Sequence, residues 1–343
     1  MERETQFIGQ SATFQDAVER ASLAASLDRP VLIIGERGTG KELIAERLHR
    51  LSSRWDRPYV ILNCAAMPET LIESELFGHE AGAFTGATRT RAGRFEEADG
   101  GTLFLDELAT MSMGAQERLL RAVEYGEVTR VGSSRPIRVD VRIVAATNEH
   151  LPALVDENRF RADLLDRLSF EVITLPPLRA REGDIEVLAT YFGQRMAAVV
   201  GWEEWPGFGP RALAQMEGYD WPGNVRELRN VIERAIYRWH APEKPVDALS
   251  FDPFASPWQP VHRSGRKTGQ SAAPTDAAES APAAAAPPSG AVSDLRAAVD
   301  AYEKQILSDT MARCRFNQKV AAEALGLSYD QIRHALKKHG LNP

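Results

Sequence analysis

Val31-Leu32-Ile33-Ile34-Gly35-Glu36-Arg37-Gly38-Thr39-Gly40-Lys41-Glu42 begins with four apolar residues rich in β-branching, passes through a glycine-rich loop, and runs into helical patterning that lasts to Arg50. Strand, glycine loop and helix in that order are the setting of a phosphate-binding loop, and a strand apolar on both faces belongs in a covered parallel sheet. The loop amides and the helix N-terminus present N–H groups to phosphates, and Lys41 adds a point charge for the β- and γ-phosphates. Gly35, Glu36, Arg37, Gly38, Thr39, Gly40, Lys41 and Glu42 are therefore the expected ATP contacts. One position departs from the usual pattern. Glu42 stands where Ser or Thr commonly offers a hydroxyl to Mg²⁺, so the metal must be held by later carboxylates and water.

Further apolar runs end in polar residues, where open α/β sheets gather their chemistry. Tyr59-Val60-Ile61-Leu62-Asn63 is one. Gly100-Gly101-Thr102-Leu103-Phe104-Leu105-Asp106-Glu107 is a second and has the Walker B pattern, with Asp106 placed for Mg²⁺ and Glu107 placed to polarise the attacking water. Val141 to Ala145, followed by Thr147-Asn148, is a third. Residues 11–26 carry an amphipathic helical pattern. Helices are also expected over 68–77 and 116–124, and a hairpin over 126–140. From Asp184 to His240 the pattern is helical without a strand. Within it Trp221-Pro222-Gly223-Asn224-Val225-Arg226-Glu227-Leu228 predicts a turn with Asn224 as N-cap and Glu227 completing a capping box.

Apolar residues at 43% and charged residues at 26% of 343 describe a globular chain long enough for more than one domain. No run approaches the roughly 18 apolar residues of a membrane span, and the charged first ten residues are unlike a signal peptide, so a cytoplasmic protein without membrane insertion is expected. Cys64 and Cys314 are too distant in sequence to suggest a disulfide framework or a zinc site. The net charge of −7 conceals an asymmetry: from Arg313 onward six Lys/Arg face two acids, a local +4 that marks the tail as the DNA-binding candidate.

Between the Tyr59–Asn63 and Gly100–Glu107 runs lies Glu80-Ala81-Gly82-Ala83-Phe84-Thr85-Gly86-Ala87-Thr88, in which neither helical nor strand periodicity survives. Two glycines bracket one large aromatic, which predicts a protruding loop with an apolar tip. G-A-F-T-G-A between a Walker A and a Walker B resembles the hallmark loop of the bacterial enhancer-binding activators of σ54 RNA polymerase, AAA+ ATPases that form rings, usually hexamers. The resemblance implies that Gly82, Ala83, Phe84, Thr85, Gly86 and Ala87 contact σ54. It implies further that Ile8 and Gly9 help to enclose adenine, that Asn63 holds the catalytic Glu107 and senses the γ-phosphate, and that Thr147 and Asn148 form sensor I. Arg226 is assigned to the nucleotide as sensor II. Arg161 and Arg167, about 120° apart if helical, become arginine fingers reaching into a neighbouring subunit. Within the family the chain is similar to activators of phage shock operons. With the ATPase starting near residue 7, control is expected from a trans-acting negative regulator of the phage shock protein A type. Trp55 is its candidate docking residue, although a half-buried tryptophan closing the preceding helix is the expected role.

Residues 264–290 are nearly all Ala, Pro, Ser, Gly, Thr and charge, the composition of a disordered linker. Beyond it, Asn317 to His339 reads as two short helices joined across Gly326, with Ser328 as N-cap of the second. Ile332 and Leu336 form its buried stripe, leaving Ser328, Tyr329, Gln331, Arg333, His334 and Lys337 for a major groove. The segment resembles the Fis-type domain that ends these activators. The expected organisation is thus an α/β AAA+ subdomain with a parallel sheet over 1–180, a helical lid over 181–255, a linker over 256–292 and an all-α helix-turn-helix over 293–343. The resemblance makes the chain a σ54-dependent activator that binds enhancer DNA and remodels the holoenzyme with ATP. A replication initiator or helicase loader, or a DNA-binding scaffold with a vestigial P-loop, are the rival readings.

Overall fold

The structure is a computed structural model. It describes residues 7–254 and 295–339, apart from 315–317, 319–320, 323–324 and 328. The chain divides into two units, Met1–Val261 and His262–Pro343. The linker expected over 256–292 lies outside the described residues.

In the first unit, α1 (Ala12–Ala25), β1 (Val31–Ile34), α2 (Lys41–Arg50) and β2 (Tyr59–Asn63) are followed by α3 (Glu69–Phe77) and α4 (Arg94–Glu97). Then come β3 (Thr102–Asp106), α5 (Met113–Tyr125), β4 (Glu127–Thr129), β5 (Pro136–Arg138), β6 (Arg142–Thr147), α6 (Leu151–Asp156), α7 (Ala162–Leu168) and β7 (Glu171–Thr174). Five strands form a parallel sheet in the order β2-β3-β6-β1-β7. Every residue of β3 and β6 is buried, which is why Leu103 to Leu105 and Ile143 to Ala146 are apolar without alternation. The two faces are nevertheless distinct. Leu103, Leu105, Ile143 and Ala145 pack with α5 and α7 on one side, whereas Phe104, Val144 and Ala146 meet α1 and α2 on the other. Each fully buried Leu or Phe contributes about 1.5–3 kcal/mol.

Arg142 opens β6 inside the run that reads as a buried strand, and it is only 3% exposed. Its guanidinium donates to the carbonyls of Ala24 at 2.8 Å, Ala25 at 3.0 Å and Leu48 at 3.3 Å. A buried cation is tolerated here because three carbonyls in the last turns of α1 and α2 accept from it, the Ala24 carbonyl also accepting from Leu27 N at 3.2 Å.

β4 and β5 pair antiparallel as a separate hairpin. Its Val131 carbonyl accepts from Glu80 N at 3.0 Å, and Ala83 packs against Gly132, so the hairpin lies beside the Gly82–Ala87 loop. The helices α8 (Asp184–Val199), α9 (Pro210–Glu217) and α10 (Asn224–Tyr237) complete the unit around Trp221, Leu228, Val231 and Ile232. Trp221 is fully buried and donates Nε1–H to Met216 O at 2.9 Å, which satisfies its one polar atom.

In the second unit, α11 (Leu295–Arg313) and α12 (Tyr329–Lys338) enclose Leu307, Met311, Ala321, Ala322, Ile332 and Leu336. Lys338 bonds Asp300 and Glu303 at 2.8 Å each, fastening the end of α12 to α11. No helix among the described residues is long and apolar enough to cross a membrane.

Candidate functional site

Because the five strands run parallel, their C-terminal ends share one edge. The loop after β1, Asn63 at the end of β2, Asp106 and Glu107 at the end of β3, and Thr147 and Asn148 at the end of β6 all gather there. Gly35 N donates to Thr147 O at 3.2 Å, binding the glycine loop to β6. Thr39 Oγ1 closes the loop on Glu36 O at 2.8 Å. Lys41 Nζ turns back onto Gly35 O at 2.9 Å and Glu36 O at 3.4 Å. Burial pushes the Lys41 ammonium below its ordinary pKa, with Glu107 and Asp106 acting in the opposite sense. Glu42, in the first turn of α2, is exposed.

Asn63 stands opposite Asp106 in the β2–β3 register and donates Nδ2–H to Asp106 Oδ2 at 3.0 Å, while its Oδ1 accepts from Ala65 N at 2.9 Å. The expected Asn63–Glu107 contact is therefore replaced by Asn63–Asp106. Glu107 lies one residue past the strand at φ 53°, and this left-handed turn carries its carboxylate to Arg37 Nε at 3.7 Å. Thr147 is fully buried with its hydroxyl accepting from Glu149 N at 3.0 Å, so the half-buried Asn148 is the more accessible of the two.

The helical part closes over the edge from the other side. Ile8 packs into its core, and Ile8 O accepts from Arg181 Nη2 at 3.1 Å. Gly9 fits where a Cβ would come within 2.6 Å of Arg181 and Phe14. Arg181 pairs with the fully buried Asp184 at 2.7 Å. Burial opposes the Asp184 charge, yet the amides of Gln10 and Ser11 and the Arg181 guanidinium hold its carboxyl below the usual carboxylate range. Neither residue is legible as part of the site, since the segment they hold lies 173 and 174 positions upstream.

The turn at Gly223 corrects the sequence reading. Gly223, not Asn224, is the N-cap of α10, and Gly223 N donates to Glu227 Oε2 at 2.7 Å. Asn224 is instead buried, with its side chain between the glycine loop and Leu178. Arg226 Cβ lies against Gly38. Arg161 is the N-cap of α7 and chelates Asp163 at 3.0 and 2.8 Å, and Arg167 in the last turn meets Glu124 at 2.6 Å. Their partners are acids of α5 and α7, away from the chain's own glycine loop.

Residues 7–174 match the Sigma-54 interaction domain family, 179–255 the AAA+ ATPase lid domain, and 298–339 the Bacterial regulatory protein, Fis family. The chain is 52% identical over 332 residues to the Psp operon transcriptional activator of Escherichia coli strain K12, covering 97% of each chain. It belongs to the σ54-dependent activator family. A longer relative, the anaerobic nitric oxide reductase transcription regulator NorR of Aeromonas hydrophila, is 42% identical over 98% of this chain and 63% of its own length. The crystal structure of NtrX from Brucella abortus in complex with ATP aligns with a TM-score of 0.67 at 30% identity, over 98% of this chain and 70% of that one.

As a σ54-dependent activator the chain is an AAA+ ATPase that binds ATP, engages σ54 and binds DNA through a Fis-type domain. The initiator and scaffold readings fall away. The σ54 activator's loop has Gly82 at φ 81° and Gly86 at φ 101°, with open space beside both. Phe84 is 41% exposed and meets the His79 ring edge-on at 5.0 Å. Trp55, expected to be half-buried, is 66% exposed. Arg54, buried in that turn like Ser52, donates to Gly101 O at 3.2 Å and Asp140 O at 2.8 Å and fixes the turn from which Trp55 projects. In α12 Ile332 and Leu336 are fully buried, while Gln331, Arg333, His334 and Lys337 are exposed. Tyr329 opens that helix, and Ser328 lies outside the described residues.

Proposed function

We propose that the chain hydrolyses ATP with Mg²⁺ at the subunit interfaces of a closed ring, a hexamer, and uses the stroke to open the promoter of a phage shock operon in the cytoplasm. What carries this reading is the common origin of chemistry and loop: Asn63 and Asp106 end the two strands between which the Gly82–Ala87 excursion is inserted.

Lys41, released from the Gly35 and Glu36 carbonyls, supplies charge to the β- and γ-phosphates. The edge suits a hard cation, because the groups it offers are carboxylate oxygens and Asp106 has only one of its two engaged by Asn63. Bound there, Mg²⁺ neutralises charge on the phosphate oxygens. Glu107 accepts the proton of a water as its oxygen bonds to the γ-phosphorus and the bridging P–O bond breaks, leaving ADP and phosphate. Asn148 and Thr147 border the γ-phosphate, Ile8 and Gly9 the adenine, and Arg226 reports nucleotide state to the lid. Arg161 and Arg167 exchange their local acids for a neighbour's phosphate. Gly82 to Ala87 engage σ54, and Ser328, Tyr329, Gln331, Arg333, His334 and Lys337 read enhancer DNA. Exposed Trp55 on its fixed turn supports docking of a negative regulator of the phage shock protein A type. In a co-elution experiment, σ54 should be retained with ADP–aluminium fluoride and not with ADP alone. Retention indifferent to nucleotide would overturn the coupling.

A further inference from the structure

We propose that Asn224 is a positioning residue for ATP hydrolysis, joining the lid to the variable positions of the glycine loop so that Arg226 is held at the nucleotide. Its backbone sits at φ 52°, a left-handed conformation that Asn tolerates better than most residues. Its side chain has no exposure and makes contacts in two directions. Oδ1 accepts from Leu178 N at 2.7 Å, where the chain passes from sheet to lid, and Nδ2 donates to Glu36 Oε2 at 3.0 Å and to Arg37 O at 3.1 Å. Both amide protons are thus committed to the loop. Glu36 is gripped from outside by both Arg179 guanidinium nitrogens, Nη1 at 2.9 Å. That pairing, with Asn224 second, depresses the Glu36 pKa to about 2 and keeps it anionic.

The loop's composition points the same way. In G-x-x-x-x-G-K the positions of Glu36, Arg37 and Gly38 are free, since backbone amides cradle the phosphates whatever side chains stand there. Here those positions face the lid. Gly38, at φ 80°, has the Gly223 carbonyl and Arg226 Cβ where its own Cβ would be, so a side chain there would displace the lid turn. Opening the lid must therefore either break the Asn224 bonds or drag the loop with it.

The inference rests on Arg226 touching the nucleotide, and the test uses the full-length chain. Asn224→Asp keeps an acceptor for Leu178 N but sets a carboxylate against Glu36. Turnover should fall roughly tenfold to a hundredfold, with a smaller change in ATP affinity. Adding Glu36→Gln restores a donor facing an acceptor and should recover most of the loss. On an Arg226→Ala background Asn224→Asp should cost little more, because both act on one step. If Asn224→Asp proves too unstable to assay, Arg179→Gln loosens Glu36 from an exposed site and should show the same dependence on Arg226. Turnover of Asn224→Asp within twofold of the parent, or losses fully additive with Arg226→Ala, would overturn the proposal. Undiminished turnover in Arg226→Ala alone would remove its premise, a separable failure.

Discussion

Asn63, Asp106, Glu107 and Lys41 lie within a few side-chain lengths of one another, yet their tasks are separable. In the proposed mechanism Lys41 meets phosphate charge and Glu107 meets water, so Lys41→Ala should lose nucleotide binding, whereas Glu107→Gln should bind ATP and turn it over about 10²-fold or more slowly. Fluorescent-nucleotide titration beside a phosphate-release assay distinguishes the two, and near-parental turnover in either would remove the assignment. The Glu36–Arg179 pair gives a pH prediction. Arg179, followed by Asn224, lowers the Glu36 carboxyl from 4.5 to about 2. A depressed carboxylate pKa adds stability above the unfolded value and forfeits it as pH falls towards the folded one. The difference in thermal midpoint between the parent and Arg179→Gln should be constant above pH 5 and shrink as pH drops from about 4.5 towards 2; a gap unchanged at pH 3 would contradict it. The place of Lys41, Asp106 and Glu107 at one sheet edge could be read from sequence because each sits in a local pattern, a loop or a strand end. The work of Asn224 could not, since its partner Glu36 is 188 residues away and Pro-Gly-Asn looks locally like any helix start.

At the scale of elements, the strands and long helices were visible because apolar runs and 3.6-residue periodicity report burial directly. Arg142 escaped that logic: the carbonyls that make a cation acceptable in β6 belong to two helices far earlier in the chain. The Asn63–Asp106 contact escapes it for a similar reason, as register puts Asn63 opposite Asp106 while the left-handed backbone of Glu107 turns that carboxylate towards Arg37. The Gly82–Ala87 loop is held by Glu80, by the His79 ring and by the turn at Gly132, so Phe84→Ala should keep ATP turnover within about twofold, as surface changes usually do. It should abolish open-promoter formation, measured by transcription from a σ54 promoter; normal activation would reduce the loop to a turn. In α12, Arg333 is exposed beside the buried Ile332. Arg333→Ala should weaken DNA binding and reduce the salt slope by about 1 if it contacts a phosphate, or relax sequence preference if it contacts a base. An unchanged isotherm at every salt concentration would exclude it from the interface.

Across the whole molecule, no single chain holds a complete site if Arg161 and Arg167 belong to a neighbour. Removing Arg167 should then cost about 10³ or more in turnover, as loss of a finger does in related phosphoryl transfer. Mixing Arg167→Ala with Lys41→Ala subunits should restore part of it, because some interfaces pair an intact loop with an intact finger. Mixed rings shown to form by mass measurement but lacking activity would place both arginines in service of their own chain. The chain leaves β2 at Asn63 on the chemical edge and returns to β3 at Thr102 on the opposite edge, while the ladder from Tyr59↔Thr102 to Asn63↔Asp106 closes without reference to what lies between. Lengthening such an excursion costs only about 0.6 kcal/mol per doubling. The engine is thus indifferent to its implement: another loop spliced between the same two strands would inherit the same stroke, and the tool could be exchanged without rebuilding the motor.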